Sequence, residues 1–535
     1  MESRTSPATS VRRFSLWAVM NARLWKIVGS TWSRLDLAVL LIPGLIKTTL
    51  HLLTYKGFGF FSDEFYYVAC SNRLAFGYVD HPPLSILLLR VDRWLFGDSL
   101  LSIRLLPALA GGITTILTGL LARRLGAGRY GQLLAQVCVL VAPVYLAGCH
   151  IFSMNSFDVL FWLGTFFVLV LIFDGGSPKL WVAFGLLAGL GLQNKISILF
   201  LGFGLVVGLL LTRQRRQIFS GWFWLGGMLA GLIFLPYVLW QIPNGWPTLE
   251  FMENARLYKN VKLSFPAYFF QQILQMHPST FPIWLAGLCL LIFSRAFRRY
   301  QALGWCYLSV LVLFVVAGGK SYYLAPAYTM LFAFGVIWFE RRISRKTIRV
   351  GLLAVIIAGG FVSLPLVLPV LPVEAHIRYS AALGQTPNAG GERHEVGRLS
   401  QYFASMFGWE NLVGEVARVY QSLPAGDRAK CGIFCMDYHQ AGAVDFLGKS
   451  YGLPAASSGH NNYWLWGPHS SWEVGIVITR RPGELSDDFE SVSKQGFIHD
   501  DTGYVQPSEN NLSICVVRGL KKPIGTLWAR VKHYD

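Results

Sequence analysis

Apolar segments close to 20 residues long recur along most of this chain, and they restrict the folds open to it. A helix needs about 20 apolar residues to cross the hydrocarbon core of a bilayer. Only 14% of the residues are charged, against about 25% in soluble domains. We therefore predict an α-helical polytopic membrane protein with about 11 spans, at 36–54, 100–122, 130–150, 158–173, 179–194, 196–212, 221–240, 280–294, 302–317, 323–340 and 348–372. Because Lys195 interrupts 179–212, that region is interpreted either as two spans or as one broken helix.

The net charge of +18 does not indicate a nucleic-acid partner, because Lys and Arg stand in short clusters between the apolar segments. Such clusters mark the cytoplasmic connections of membrane proteins. They occupy every second connection except the turn 174–178, and residues 1–34 form a further basic arm. The distribution predicts a cytoplasmic N-terminus in the cell (inner) membrane. Eleven spans then leave the C-terminus on the outer side.

The composition changes after Pro372 and divides the chain into three predicted parts. Residues 1–34 are the cytoplasmic arm, 35–373 the transmembrane domain and 374–535 a small extracytoplasmic soluble α/β domain. The last part has no spanning run, and its short apolar runs are typical of strands between turns. In this last part, strands are predicted at Gly432–Met436, Gly475–Thr479 and Ser513–Val517, and helices at Val413–Ser422 and Gln440–Leu447. In the transmembrane domain, surface helices are expected in 241–279 and an interfacial amphipathic helix at Leu84–Phe96.

Two acidic residues, Asp63 and Glu64, open the outer connection after the first span. Ser62 is a suitable cap for a helix that begins there, and acids in a first turn are favoured by the helix dipole without any function. Carboxylates grouped beside a membrane are costly unless they are used. We therefore predict Asp63 and Glu64 as catalytic residues, which a capped helix would also hold in place.

A second acidic group follows in the same connection, at Asp80 and His81. The prolines at 82 and 83 make a rigid turn, which is the structural interpretation of this motif. The same rigidity would direct both side chains at a fixed point. His81 could then donate to a phosphate, and Asp80 could orient His81 or hold a metal ion.

Three further ionisable residues stand at the outer ends of apolar segments. Asp158 follows Asn155, and the segment could simply cap the next span. Lys195 and Lys320 could extend to lipid head groups, yet each is the lone cation of an otherwise uncharged outer connection. A lipid-linked phosphate at that depth would need such partners.

The order of these features resembles the family 39 type of glycosyltransferases, which includes protein mannosyltransferases and the related bacterial aminoarabinose transferases of lipid A. The resemblance covers residues 36–340. It depends on the Asp-Glu pair at 63–64, the Pro-Pro turn at 82–83, Asp158 before the fourth span, Lys195 after the fifth, and Lys-x-x-Tyr-Leu-x-Pro over Lys320–Pro326. It implies the type C glycosyltransferase fold.

The resemblance also implies roles for these residues. Asp63 would activate or orient the acceptor hydroxyl with Glu64 beside it, supported by Asp80 and Asp158. The donor phosphate would lie near His81, Lys195, Lys320 and Tyr323. The aminoarabinose transferases carry a Lys at the position of His81, so the sequence departs from their pattern there.

These roles together predict transfer of a sugar from a polyprenyl-phosphate donor to an acceptor hydroxyl at the outer membrane face. Membrane lipid is an expected partner and nucleic acid is not; the acceptor is a glycan, lipid or protein. No cofactor is assigned, and a divalent metal at Asp63, Glu64 or Asp80 is left open. The alternative is a transporter or flippase of a lipid-linked or anionic substrate, although transporters place their charges at the bilayer midplane.

Two cysteines of the predicted outer domain, Cys431 and Cys515, each lie in a predicted strand. If these strands pair in register, their Cα atoms would lie about 4.5–5.5 Å apart, within the range of a disulfide. The alternative is that both remain buried thiols in a small core.

Overall fold

The computed structural model describes residues 32–469 and 472–535 of the chain. Within these ranges, seven helices are long and apolar enough to cross a membrane, and three bent helix pairs raise the number to 10. The shorter apolar helix Leu180–Asn194 adds one more candidate, in agreement with about 11 predicted spans. The predicted arm 1–34 lies outside the described residues except for residues 32–34.

Helices form the first part of the molecule and enclose one large apolar core. Their bounds are Arg34–Thr54, Ser62–Asn72, Leu84–Phe96, Leu100–Arg124, Arg129–Val141, Pro143–His150, Met154–Phe173, Leu180–Asn194, Ser197–Leu210, Gly221–Gln241, Pro247–Asn254, Phe265–Gln275, Phe281–Phe293, Gln301–Ala317, Tyr328–Arg342, Lys346–Ser363 and Val373–Ala382. The predicted helix over 84–96 and the predicted helices within 241–279 are therefore present.

Two interruptions in the helical part follow from the sequence. Helix Arg129–Val141 continues into Pro143–His150 with a bend of 60°. The bend falls at proline because this residue lacks a backbone donor and its ring clashes with the preceding turn. At Lys195 one helix has ended at Asn194 and the next begins at Ser197, so the chain breaks there as both interpretations of 179–212 require.

The C-terminal part is built on a five-stranded sheet with the order β2-β1-β3-β5-β4. The strands are β1 Cys431–Cys435, β2 Ala456–Ser458, β3 Val474–Thr479, β4 Phe489–Ile498 and β5 Leu512–Leu520, and the helices are Gln401–Ala404, Trp409–Ser422, Ala425–Arg428, Tyr438–Leu447, Asn462–Trp466 and Ile524–Arg530. β1 is parallel to β2 and β3, and β5 is antiparallel to β3 and β4.

All three predicted strands and both predicted helices of this part are confirmed, but β2 and β4 were missed. β2 has three residues, too few to show a period. β4 lies at the edge of the sheet, and its sequence is largely polar with several exposed side chains. Edge strands with polar side chains resist pairing with other chains, and they lose the apolar pattern by which strands are recognised.

The disulfide between Cys431 and Cys515 is wrong, because the two residues do not lie in neighbouring strands. β3 separates β1 from β5. Cys431 is opposite Val474 of β3, whereas Cys515 is opposite Val477. Strands lie about 4.8 Å apart, so the intervening strand alone separates the two Cα atoms by about 10 Å, and the offset from Val474 to Val477 along β3 adds to this, which is beyond the reach of a disulfide. Both cysteines are buried free thiols, which confirms the alternative.

A single apolar core joins the sheet to the first connection of the helical part. Its buried members include Phe65 and Ile86 from that connection, Phe157 from a spanning helix, and Ile433 and Ile476 from the sheet. The C-terminal part therefore packs directly on the predicted catalytic segment, and residues of both can share one site.

Candidate active site

The predicted acidic segment forms the helix Ser62–Asn72, here called the acidic helix. Ser62 is not its cap: it is the first helical residue, and its backbone N–H donates to the carbonyl of Ser405 at 3.0 Å. Phe61 takes the cap position, and its backbone N–H donates to the carboxylate of Glu64 at 2.8 Å. Glu64, three residues into the helix, thereby satisfies a helix-end donor that has no partner within the helix.

Glu64 is fully buried and its carboxylate is saturated with donors. Arg104 donates to it through Nε and Nη2, each at 2.8 Å, and the backbone N–H of Phe152 donates at 2.9 Å. With the Phe61 contact, four hydrogen bonds reach the two oxygens, about the full capacity of a carboxylate. The side chains of Glu64 and Arg104 are 0% and 2% exposed. The pair ties the acidic helix to the spanning helix that carries Arg104.

Asp63 has a different environment, and its side chain remains one third (33%) exposed. His439 Nε2 lies 3.0 Å from its Oδ1, and the hydroxyl of Tyr438 donates to the same oxygen at 3.3 Å. Both partners belong to the helix Tyr438–Leu447, here called the His439 helix. An accessible carboxylate on a fixed helix, aligned by an imidazole, has the arrangement of a general base.

The carboxylates around His439 keep its imidazole protonated. His439 Nδ1 lies 3.3 Å from Asp437, opposite the contact with Asp63. Burial acts to lower the pKa of His439, but its hydrogen bonds to Asp437 and Asp63 outweigh burial and raise the pKa to about 10. Burial likewise acts to raise the pKa of Asp63, but His439, with help from Lys259 and Lys320, lowers it. Asp63 therefore stays ionised and ready to accept a proton.

The His439 helix reaches the acidic helix because Gly442 faces it without a side chain. A Cβ at position 442 would lie 2.8 Å from the carbonyl carbon of Phe65. Contacts that short are sterically forbidden, so only glycine permits the observed approach of the two helices. The approach sets the distance between His439 and Asp63.

Substitution Gly442→Ala is therefore expected to separate the two helices and to lower activity about 10-fold or more, since small misplacements of catalytic groups are costly. Gly414→Ala is the matched control, because Gly414 also lies within a helix of this part and a Cβ there meets nothing within 4 Å. Turnover and thermal midpoint of both purified variants test this. Equal turnover for the two variants would contradict the argument.

Asp80 and His81 lie beside the acidic helix but differ in accessibility. The hydroxyl of Tyr66 lies 2.8 Å from Asp80 Oδ1 and 3.0 Å from the side-chain oxygen of Asn462. That Asn462 oxygen also accepts the backbone N–H of Val79 at 2.7 Å. The His81 ring is fully buried among tyrosines, and its Nε2 is 3.8 Å from Asp80. The turn is thus held by the C-terminal part as well as by its prolines.

The two predicted cations, Lys195 and Lys320, flank the pair Tyr322–Tyr323. Lys195 donates to Asn155 at 2.6 Å, lies 3.7 Å from Asp158 and stands over the Tyr323 ring. Lys320 pairs with Glu392 and stands near the Tyr322 ring. Each side chain is 13–14% exposed. Neither lysine points freely toward head groups.

A supporting role for Asp158 beside Asp63 would need contact with the acidic helix, but among the described residues its polar partners are Ser197, Lys195 and Trp162. Asp158 lies within the helix Met154–Phe173, whose cap is Ser153, and it accepts from the Ser197 hydroxyl. Its contacts with Ser197 and Lys195 connect the helix Met154–Phe173 to the start of the helix Ser197–Leu210, next to the break at Lys195.

Sequence reasoning missed several residues that shape this site: Arg104, Asn462, Glu392, Tyr438 and His439. A signal for His439 was present, because Asp437–Gln440 follows directly on the predicted strand Gly432–Met436. Ligand sites of α/β sheets lie beyond the carboxyl ends of strands. Nothing local marks Arg104 or Glu392, whose partners are 40 and 72 residues away.

The sequence is similar to known membrane glycosyltransferases over part of its length. The profile of the family described as dolichyl-phosphate-mannose-protein mannosyltransferase matches residues 80–240. An undecaprenyl phosphate-α-4-amino-4-deoxy-L-arabinose arabinosyl transferase of Pseudomonas fluorescens is 28% identical over 193 residues, 34% of either chain. One of Edwardsiella ictaluri is 23% identical over 363 residues, 61% of this chain and 60% of the relative. The chain thus spans about one third and three fifths of these two relatives.

The fold is shared over nearly the whole chain. ArnT from Cupriavidus metallidurans bound to undecaprenyl phosphate superposes with a TM-score of 0.60 at 14% identity, covering 91% of this chain and 99% of ArnT. The apo form gives 0.55 at 14% identity, covering 94% and 98%. The predicted resemblance and the type C glycosyltransferase fold are confirmed.

Proposed function

We propose that this protein transfers a sugar from a polyprenyl-phosphate donor to an acceptor hydroxyl at the outer face of the cell membrane. The contact of His439 with the accessible Asp63 is the observation that carries the proposal, because it keeps a carboxylate ionised where Lys320 also contributes to lowering the pKa of Asp63. The similarity to arabinosyl transferases named for an undecaprenyl phosphate sugar supports the class of donor.

The reaction needs a base for the acceptor and charge stabilisation for the leaving group. Asp63 takes the proton of the acceptor hydroxyl, and the oxygen of that hydroxyl forms a bond to the anomeric carbon of the sugar. The bond between that carbon and the phosphate oxygen breaks in the same displacement, which inverts the configuration. The electron pair leaves with the polyprenyl phosphate.

Lys195 and Lys320 are the proposed partners of the departing phosphate. Lys195 is paired with Asp158 and Lys320 with Glu392, so both ammonium groups are neutralised in this structure. A phosphate at the Tyr322–Tyr323 pair would compete with these carboxylates for the ammonium groups. Tyr323, which the Lys195 ammonium faces at 4.9 Å from the ring centre, would line the same position.

The remaining predicted residues have contacts that favour positioning roles. Glu64 and Arg104 fix the acidic helix, and the buried His81 supports the turn that carries Asp80. Asp63, Glu64 and Asp80 do not converge into a group of metal ligands within the described ranges of the chain.

A reconstituted assay tests the function. The full chain, purified and placed in liposomes with synthetic polyprenyl-phosphate sugars and candidate acceptors, is expected to release polyprenyl phosphate and to form a glycosylated product. Movement of an intact donor across the bilayer without cleavage would contradict transfer and support the alternative of a flippase.

Removal of His439 is expected to narrow the pH range of activity from the acid side. In His439→Gln, the charge that lowers the pKa of Asp63 is lost while burial still raises it, so Asp63 protonates at a higher pH. The acid limb of the kcat/KM profile therefore moves to higher pH. Asp437, Lys259 and Lys320 also face this pair and are unchanged in the variant.

His499→Gln is the matched control, because His499 also pairs with an aspartate, at 2.6 Å, but lies exposed on the same C-terminal part. Its acid limb should coincide with that of the unsubstituted protein. If the acid limb of the kcat/KM profile did not move in His439→Gln, His439 would be excluded as the group that keeps Asp63 ionised. In the unsubstituted protein, the raised pKa of His439 also stabilises the folded state: the contribution is complete below pH 6.5 and is lost as the pH rises from there through about 10.

The orientation of the chain is a further expectation, motivated by the arginine clusters and the number of spans. A fluorescent reporter that matures only in the cytoplasm should stay dark when fused after Asp535. The same reporter fused after Lys346, in a predicted cytoplasmic connection, should fluoresce. Fluorescence of the first fusion would overturn the topology.

A further inference from the structure

Two histidines and an aspartate converge at one end of the C-terminal part, outside the site described above. His460, His533 and Asp535 each offer a ligand atom, and these atoms all lie within 4.8 Å of one another. His460 precedes the short helix Asn462–Trp466, whereas the other two follow the helix Ile524–Arg530. Packing, rather than local sequence, therefore brings them together.

The backbone holds the two segments in register. The N–H of Asn461 donates to the carbonyl of His533 at 3.1 Å, and the N–H of His533 donates to that of Gly459 at 3.0 Å. The rings of His460 and His533 lie 4.3 Å apart between centroids. The side chains that supply the ligand atoms are thus attached to two backbone segments that hydrogen bonds hold together.

The hydrogen bonds around the group favour ligation. His533 Nδ1 lies 3.0 Å from the carbonyl of Val531, which can only accept, so Nδ1 carries the proton and Nε2 keeps its lone pair. Metal-ligating histidines typically donate their other N–H to such a carbonyl. This contact fixes the tautomer and the ring together.

The contact between His460 and Asp535 leaves polar atoms without partners. His460 Nε2 lies 3.1 Å from the backbone oxygen of Asp535, its hydrogen-bond partner, and 3.0 Å from Asp535 Oδ1, yet this buried carboxylate oxygen makes no aligned hydrogen bond. His460 itself is only 7% exposed, and its Nδ1 has no hydrogen-bond partner. Buried polar atoms of this kind call for an explanation such as an ion.

We infer that His460, His533 and Asp535 bind a divalent transition metal ion, with zinc as the best match. Zinc takes imidazole and carboxylate ligands at about 2.0–2.2 Å, so tetrahedral ligand atoms lie about 3.4 Å apart. The observed group needs only small side-chain rotations to reach that spacing. Two imidazoles disfavour magnesium and calcium, which prefer oxygen ligands. Three protein ligands leave a fourth position for water.

The ion would clamp the segment 531–535 against a wall of the candidate active site. Next to His460, Asn462 holds the Asp80 turn through Tyr66 and Val79. On its other side the His460 ring packs on Tyr438, at 4.4 Å between centroids, beside His439. Binding of the ion does not depend on the proposed transfer reaction, so the two proposals can fail separately.

Metal content tests the inference directly. The full chain, purified without a polyhistidine tag, is stripped with a chelator, equilibrated with Zn²⁺ and analysed for bound metal. We expect about one zinc per chain, falling at least about 10-fold in His460→Ala and His533→Ala. His499→Ala, which alters an exposed histidine of the same part, should retain the full amount.

Cobalt and a milder variant complete the experiment. Co²⁺ bound to the stripped protein should give the visible absorption of a tetrahedral site, and Asp535→Asn should weaken it without unfolding, since that side chain is 38% exposed. A wild-type protein that retains less than about 0.1 zinc per chain, or variants that bind as well as wild type, would overturn the site.

Discussion

Asp63→Asn is expected to reduce sugar transfer by about 10²–10⁴-fold, the usual contribution of a general base. The amide keeps the size of the side chain and accepts a hydrogen bond from His439, but it cannot take the acceptor's proton. Because Asp63 is one third exposed, and Asp437 still pairs with His439 in the variant, folding should persist. Donor turnover, together with gel filtration of the variant, measures the two effects separately.

Asp98→Asn is the control for this substitution. Asp98 belongs to the same connection, pairs with Arg93 at 2.7 Å and is half exposed at 46%, but it is outside the candidate site. Its loss should leave turnover nearly unchanged. If Asp63→Asn retained turnover comparable to Asp98→Asn, Asp63 would be excluded as the base.

Arg104→Met is expected to destabilise the fold by about 3–5 kcal/mol, because it leaves Glu64 buried with an uncompensated charge. Glu64 is 0% exposed, and Arg104 supplies two of its four hydrogen bonds. The acidic helix would lose its anchor to the spanning helix, so activity should fall together with stability. The thermal midpoint of the purified protein in detergent measures the loss.

The double variant Glu64→Gln/Arg104→Met separates the pair from other effects. It removes both charges, and it should recover part of the midpoint that Arg104→Met loses, since neighbouring residues are not additive. Lys430→Met is the surface control: the Lys430–Glu473 pair is more than half exposed on both sides, and such pairs contribute about 0–1 kcal/mol. A midpoint for Arg104→Met as high as that of Lys430→Met would contradict the role of the buried pair.

The two acids of the Asp63–Glu64 motif have different environments that the sequence did not predict. From the sequence, both were expected to be catalytic residues on a capped helix. In the folded protein, one is accessible and bound to an imidazole, whereas the other is saturated and buried. Neighbouring helical residues point about 100° apart. Which of the two faces the site depends on what packs on each side of the helix.

For His81 and His439 too, the position in the sequence did not predict which side chain reaches the candidate site. His81 stands out in sequence beside Asp80, but its ring is fully buried. His439 is inconspicuous in sequence, but it contacts Asp63 across 376 residues. The sequence gives the chemical type of a side chain, whereas its exposure depends on the distant segments of the chain that pack against it.

The sequence by itself determined the membrane spans, the three apolar strands and the residue types available for chemistry. Spans and apolar strands follow from length and period of hydrophobicity, which are properties of short stretches. Only the tertiary structure decided that β3 separates Cys431 from Cys515, that Gly442 lets the His439 helix approach, and that Asp63 meets His439. Those outcomes depend on which surfaces pack together, and such contacts join segments tens to hundreds of residues apart that share no local pattern.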